Sequence, residues 1–260
     1  RRYFCADDMA SRKGAHMSTS ILRSQQEFTA EYRRILTENG LSDFAGDALA
    51  EKFYRLTGFL LERNAVMNLT AITAPEEIIL KHYADSLTAA RYIEPGKTLL
   101  DVGCGAGFPS LPLAIARPDL RILALDATAK KIDFVRTAAE HLALANLSAA
   151  AGRAEDLGAG ALRGKYDYVT ARAVARLNIL CECCIPLLKI GGVFLPMKAK
   201  SGGEELIEAK NAIAALRAKV LFSKEFSLAD TKSKEPPLTR MIAGIEKCGE
   251  TEKIYPRNYA

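Results

Sequence analysis

From Ser24 onward apolar residues recur at helical spacing: Phe28, Tyr32, Ile35 and Leu36, then, past a break at Asn39-Gly40, Leu49, Phe53, Leu56, Leu60 and Leu61. That period predicts two amphipathic helices, with Ser42 and Asp43 as candidate caps of the second. A third helix is expected after Pro75, over EEIILKHYADSLTAARYI. It brings Ile78, Lys81, His82, Asp85 and Ser86 within about two turns, so that His82, Asp85 and Ser86 can present polar atoms on one side. From Lys97 the period changes. Short apolar runs at Thr98–Val102, Arg121–Asp126, Leu147–Ala151, 166–171 and 192–197 alternate with helical stretches centred on 110–116, 129–143, 176–188 and 203–218. Strand and helix in alternation predict a parallel sheet with helices on both faces. Two further β-like stretches, 220–228 and 240–245, have no helix between them. They are joined by a polar segment holding Pro236-Pro237 and predict a closing antiparallel pair.

The remaining elements are organised around TLLDVGCGAG, residues 98–107, where a buried strand runs into glycines at alternate positions, Gly103, Gly105 and Gly107. Phe108-Pro109 and a helical run follow, so strand, turn and helix N-terminus form a cup of backbone amides that a nucleotide can approach without meeting Cβ atoms. Dinucleotide-binding loops read G-x-G-x-x-G. Here Asp101 and the glycines read D-x-G-x-G-x-G, the spacing of S-adenosylmethionine-dependent methyltransferases. Asp126, nineteen residues past Gly107 at the end of the second strand, is placed to take up ribose hydroxyls, and also to cap the following helix. The expected fold class is therefore α/β, a class I methyltransferase fold with a Rossmann-like, mostly parallel sheet and a helical N-terminal extension. We place the extension at 17–96 and the cofactor-binding domain at 97–260. Residues 1–16 have no apolar period and end in GAH before Met17, as a vector-derived leader would.

Composition narrows the classes. The 260 residues carry 36 Lys and Arg against 31 Asp and Glu, a net charge of +5 that falls to +3 without the leader. A mild excess favours a local basic patch, compatible with RNA, over a broadly cationic surface. Six cysteines, five without Cys5, include no two C-x-x-C motifs that could pair: Cys181, Cys183 and Cys184 crowd one apolar segment with no second ligand cluster elsewhere. They read as buried thiols in a reducing cytosol, with no metal site. No signal sequence or spanning run follows Met17, so a soluble, cytoplasmic protein with no membrane partner is expected; we also expect a monomer.

In an open parallel sheet, ligands sit beyond the carboxyl ends of the strands. After the third strand come Gly152, Arg153, Ala154, Glu155 and Asp156. A carboxylate there can accept from an adenine amine, and Arg153 and Glu155 read equally well as solvated loop charges. The fourth strand ends in Thr170-Ala171-Arg172 with Arg176 a turn later, and the fifth in Lys198 and Lys200. The acidic or amide tetrad that grips an exocyclic amine is absent, and an arginine stands in its place. Guanine N7 suits such a site, having a lone pair and no proton to lose. Arginine or lysine donors address its O6/N7 edge and the phosphates nearby.

Several segments resemble one family specifically. NLTAI at 68–72, H-x-x-D-S-L from His82, DVGCGAGFPSLPLA, LDATAKK, the pair Ala154-Glu155, ARAVA, the lysine of PMKAK and the late YPR are similar to the ribosomal RNA small subunit methyltransferase G family, also called GidB. The resemblance implies an enzyme that uses S-adenosylmethionine to methylate guanine N7 in a 16S rRNA loop of the decoding region of the bacterial small ribosomal subunit. It implies cofactor contacts at Gly103, Phe108, Ala154, Glu155 and Arg172, with Asp126 as the ribose acid. Gly105 and Gly107 complete the loop. Three positions depart from the family pattern: Ser110 and Ala199 stand where glycine is usual, and Ala127 where serine is.

On this reading Arg172 and Lys198 position the reactants with no general base. Arg172 holds the cofactor side, and His82, Asp85, Ser86, Arg176, Lys198 and Arg257 face the RNA. Lys198→Ala is expected to weaken RNA binding or turnover and leave cofactor affinity near normal. Two other classes share features: a nicotinamide oxidoreductase, disfavoured by the glycine spacing and the closing strands, and an RNA-binding assembly factor, disfavoured by the intact loop and Asp126.

Overall fold

The computed structural model describes residues 24–172 and 174–257, so the leader and the start near Met17 lie outside the described residues. Helix α1 (Gln25–Glu38) opens with a reciprocal cap, Ser24 accepting from the Glu27 amide while the Glu27 carboxylate takes the Ser24 N–H. It stops at Asn39, with Gly40 in the left-handed region. Ser42 and Asp43 do not cap α2 (Asp47–Met67): they form a separate 3-10 turn, Ser42–Phe44, and the helix starts after Gly46 with no side-chain cap. The third helical segment, α3, is composite. One α-helical turn, Pro75–Glu77, passes into a π-helical stretch, Ile78–Ala84, then Asp85–Leu87 and a 3-10 turn, Thr88–Tyr92. Such π segments re-aim side chains and recur at functional sites; this one carries Lys81 and His82.

The strands are β1 (Thr98–Val102), β2 (Arg121–Asp126), β3 (Leu147–Ala151), β4 (Tyr166–Arg172), β5 (Leu188–Lys198), β6 (Ala218–Leu228) and β7 (Leu238–Lys247). Among the described residues they form one seven-stranded sheet in the order β3-β2-β1-β4-β5-β7-β6. β1 to β5 are parallel, and β7 inserts antiparallel to both β5 and β6. Connecting helices are α4 (Ser110–Ala116), α5 (Ala129–His141), α6 (Ala154–Ala159), α7 (Leu177–Cys184), α8 (Gly202–Glu208) and α9 (Lys210–Ala215). The helix expected over 203–218 is thus two helices, ended by Arg217 at φ 55. β5 starts earlier than its sequence suggests because Gly191, at φ 81, sits within the strand beside a register shift against β4.

Side chains alternate between two buried layers. Leu99, Tyr168, Leu195, Met197 and Ile242 share one layer with α1–α5, so the N-terminal helices and one sheet face have a continuous core. Leu100, Val102, Val169, Phe194 and Ile245 share the other layer with α7 and α9. Strand order reverses between β1 and β4, and at such a switch point the carboxyl ends open into a crevice.

Candidate active site

The glycine turn after β1 is held from two directions. The Gly103 and Cys104 amides donate to the Leu125 carbonyl at 2.7 and 3.0 Å, and the Gly105 amide donates to Asp126 Oδ2 at 3.0 Å. Asp126 Oδ1 accepts the Thr128 amide at 2.8 Å, so one carboxylate joins the turns after β1 and β2. Gly103 has φ 72, and a Cβ there would stand 2.4 Å from Val174 Cγ2. Under the turn lies Asp101, fully buried, accepting from the Ser110 amide at 3.1 Å and Thr170 Oγ1 at 3.2 Å. Burial pushes its carboxyl up to about 6, against the pull of these donors and of Arg172. A cavity of about 280 Å³ opens over the turn, lined by Gly103, Asp126, Ala154, Glu155, Val174 and Cys183 among others.

A second cavity, about 380 Å³, lies at the ends of β4, β5 and β7 against α3. His82 lines it, its ring stacked on Phe108 at 4.3 Å between centroids and 9° between planes, with Nε2 3.0 Å from Thr70 Oγ1. Burial, reinforced by the Arg172 charge, lowers its pKa to about 3 and keeps the imidazole neutral. Asp85 serves two guanidinium groups: Arg172 Nη1 donates to Oδ2 at 3.1 Å and Arg240 Nε to Oδ1 at 3.2 Å. Arg172 also donates to the Lys81 carbonyl at 3.1 Å and lies over the Phe108 ring at 5.6 Å. Lys198 donates to the Ala175 carbonyl at 2.7 Å and pairs with Glu205 at 2.7 Å. The lining therefore gathers Lys81, Arg172, Lys198 and Arg240 against Asp85 and Glu205. Lys81 is itself paired with Glu77 and Glu235, and Lys198 with Glu205, so the positive charge facing the cavity comes from Arg172 and Arg240, which share the single Asp85 carboxylate.

The family model for rRNA small subunit methyltransferase G (GidB) matches residues 49–233. Ribosomal RNA small subunit methyltransferase G of Lachnoclostridium phytofermentans is 45% identical over 210 residues, covering 80% of this chain and 85% of that protein. The protein of the same name from Staphylococcus saprophyticus is 43% identical over 213 residues, covering 81% and 87%. The chain belongs to the GidB family. Among solved structures, M. jannaschii TYW2 in complex with AdoMet aligns with a TM-score of 0.51 at 16% identity over 63% of this chain and 74% of that one. That likeness shows the fold.

In this GidB-family chain the expected residues divide between the two cavities. Gly103, Asp126, Ala154 and Glu155 line the first, while Gly105 and Gly107, at φ 57 and 83, lie in the turn outside its lining. Asp126 is not the cap of α5, whose first turn follows Thr128 with no side-chain cap. His82, Asp85, Arg172 and Lys198 line the second cavity. Arg172, expected with the glycine turn, lines the second cavity and not the first, and β4 delivers it to Asp85. Phe108 lines neither cavity and supports His82 and Arg172 from behind. Ser86 turns back on its own helix, donating to the His82 carbonyl at 2.6 Å. Arg176 is exposed and paired with Glu208, and Arg257 pairs with buried Glu182 on α7, so neither lines the second cavity. Lys200 is exposed and outside both linings.

Two charged cavity residues escaped the sequence reading, Glu205 on α8 and Arg240 on β7. Arg240 carried a usable signal, since it interrupts the alternation Leu238, Arg240, Ile242 with a charge on the face directed toward α3. Among the described residues no three His, Cys, Asp or Glu side chains gather as a metal-ligand set, and no helix is long and apolar enough to cross a membrane.

Proposed function

We propose that the protein transfers the methyl group of S-adenosylmethionine to N7 of a guanosine in 16S rRNA, in a decoding-region loop of the small ribosomal subunit. Family membership supports rRNA methylation, and the glycine turn supports the cofactor: its positive-φ backbone, the free face over Gly105 and the Asp126 carboxylate suit a nucleoside with ribose hydroxyls. Gly103, Asp126, Ala154 and Glu155 would hold it. When bound, S-adenosylmethionine supplies an electrophilic sulfonium methyl group; the acceptor nitrogen forms the new bond to carbon with its lone pair as the carbon–sulfur pair returns to sulfur.

One observation supports the acceptor assignment: the second cavity presents two arginines on one shared carboxylate and has no base ready for a proton. His82 is held neutral with a pKa near 3, Asp85 is shared by two guanidinium groups, and Glu205 is paired with Lys198. An amine or hydroxyl acceptor needs a group that takes its proton, whereas guanine N7 loses none. Arg240 and Arg172, oriented by Asp85, are suited to the O6 edge and flanking phosphate. Residues of the cavity then contribute alignment and exclusion of water.

The test is transfer of labelled methyl from S-adenosylmethionine to small ribosomal subunits from cells lacking the native enzyme, with the base identified by digestion and mass spectrometry. 7-Methylguanosine at one 16S position is the expected product. Label on another base overturns the acceptor assignment, and binding without transfer supports an assembly role instead.

A further inference from the structure

Lys198 and Glu205 join the two cavities. Lys198 lines the acceptor-side cavity, yet its side chain is only 9% exposed and its ammonium is committed to protein partners, the Ala175 carbonyl and the Glu205 carboxylate, each at 2.7 Å. Glu205 Oε2 also accepts the Leu177 amide at 2.9 Å, and Oε1 accepts Ser201 Oγ at 2.9 Å. Burial alone raises the Glu205 carboxyl, but Lys198 and Ser201 outweigh it and hold it below the usual carboxylate range. The pair therefore grips the connection between β4 and α7 at two points, Ala175 and the first residue of α7. Ala175 and its neighbour Val174 line the same cavity as Asp126, and Val174 lies against the Cα face of Gly103.

We propose that the Lys198–Glu205 pair is a positioning device for the cofactor: it holds the Val174-Ala175 wall against the glycine turn, and Lys198 is not a phosphate contact. This rests on the reading that the cavity takes S-adenosylmethionine. The physical reason lies in strand register. Met197 and Lys198 point to opposite faces of β5; Met197 faces the layer of α1–α5, which leaves Lys198 on the side of α7 and α8. A buried ammonium there must be satisfied by local acceptors, and the acceptors present belong to the cofactor wall. The sequence-based expectation that Lys198→Ala spares cofactor affinity is reversed.

S-adenosylhomocysteine binding is measured by calorimetry on the wild type, Lys198→Met, Lys198→Arg, Glu205→Gln and Arg240→Ala, with thermal unfolding of each as a folding control and KM for S-adenosylmethionine and for small subunits measured separately. Lys198→Met is expected to weaken S-adenosylhomocysteine binding and raise KM for S-adenosylmethionine about tenfold, within the range of typical coupling between neighbouring sites, with KM for subunits little changed. Glu205→Gln, which keeps an acceptor for the Leu177 amide, shifts the same quantities less, and Lys198→Arg restores them in part. Arg240→Ala gives the opposite pattern, a raised KM for subunits with normal S-adenosylhomocysteine affinity. Normal S-adenosylhomocysteine affinity in folded Lys198→Met and Glu205→Gln, with a raised KM for subunits, overturns the positioning role and leaves the methyltransferase reading standing. Absence of S-adenosylhomocysteine binding by the wild type overturns that reading and this proposal with it.

Discussion

Gly103→Ala tests the join between the glycine turn and the wall that faces it. The backbone at Gly103 has φ 72, and the added Cβ would stand 2.4 Å from Val174 Cγ2, 3.3 Å from Cγ1 and 3.5 Å from Cβ. An L residue in the left-handed region costs about 1–2 kcal/mol. The clash adds an overpacking cost of about 1–3 kcal/mol, because a valine is stiff at χ1 and the adjoining Ala175 carbonyl is held by Lys198. The single variant should therefore lose about 2–5 kcal/mol of stability. Val174 is 47% exposed, so Val174→Ala should cost about 1 kcal/mol or less. It also removes both Cγ atoms and leaves only the 3.5 Å contact, an ordinary van der Waals distance. In the double variant the steric part of the Gly103 penalty disappears, giving a favourable interaction energy of about 1–3 kcal/mol between contacting residues. Urea unfolding of the four proteins, with free energies extrapolated at a common m value, closes the cycle. Gly105→Ala is the control: φ is 57 but nothing lies within 4 Å of its Cβ, so it should show the backbone cost alone and no coupling to Val174. Additivity of Gly103→Ala and Val174→Ala within about 0.5 kcal/mol would refute the contact as the origin of the penalty.

Two further outcomes are expected. His82, with a folded pKa near 3 against an ordinary 6.5, takes up its proton more readily in the unfolded chain, so its contribution is fully present above pH 6.5 and is lost as pH falls toward 3. That difference corresponds to about 3–5 kcal/mol at most; His82→Gln should flatten the fall in unfolding free energy over this window, and an unchanged pH profile would contradict a buried neutral imidazole. Burial pushes the thiols of Cys181 and Cys183 up to about 12 and raises those of Cys104 and Cys184, so mass mapping after brief alkylation at neutral pH should find Cys248 modified and these four protected until denaturant is added.

The sequence by itself determined the frame: the limits of β1, β2 and β3, the alternation of strands and helices, the glycine turn, and the buried stripe Phe28, Tyr32, Ile35 and Leu36 of α1. These follow from local periods, a twofold one for strands and a 3.6-residue one for helices, and from glycine where φ is positive. It also named His82, Asp85, Arg172 and Lys198 as residues of interest, because strand ends and a polar helix face are visible along the chain. Their partners were decided by tertiary structure. Asp85 meets Arg240 across 155 positions, and Glu205 reaches both Lys198 and the start of α7 only once α8 packs beside it. Arg176 and Arg257 carry the same charge in the sequence as Arg172, yet Glu208 and Glu182 hold them elsewhere. A side chain's type is fixed by the sequence, but whether its charge meets a ligand, a carboxylate or a backbone carbonyl depends on which distant elements the sheet order and strand register bring against it.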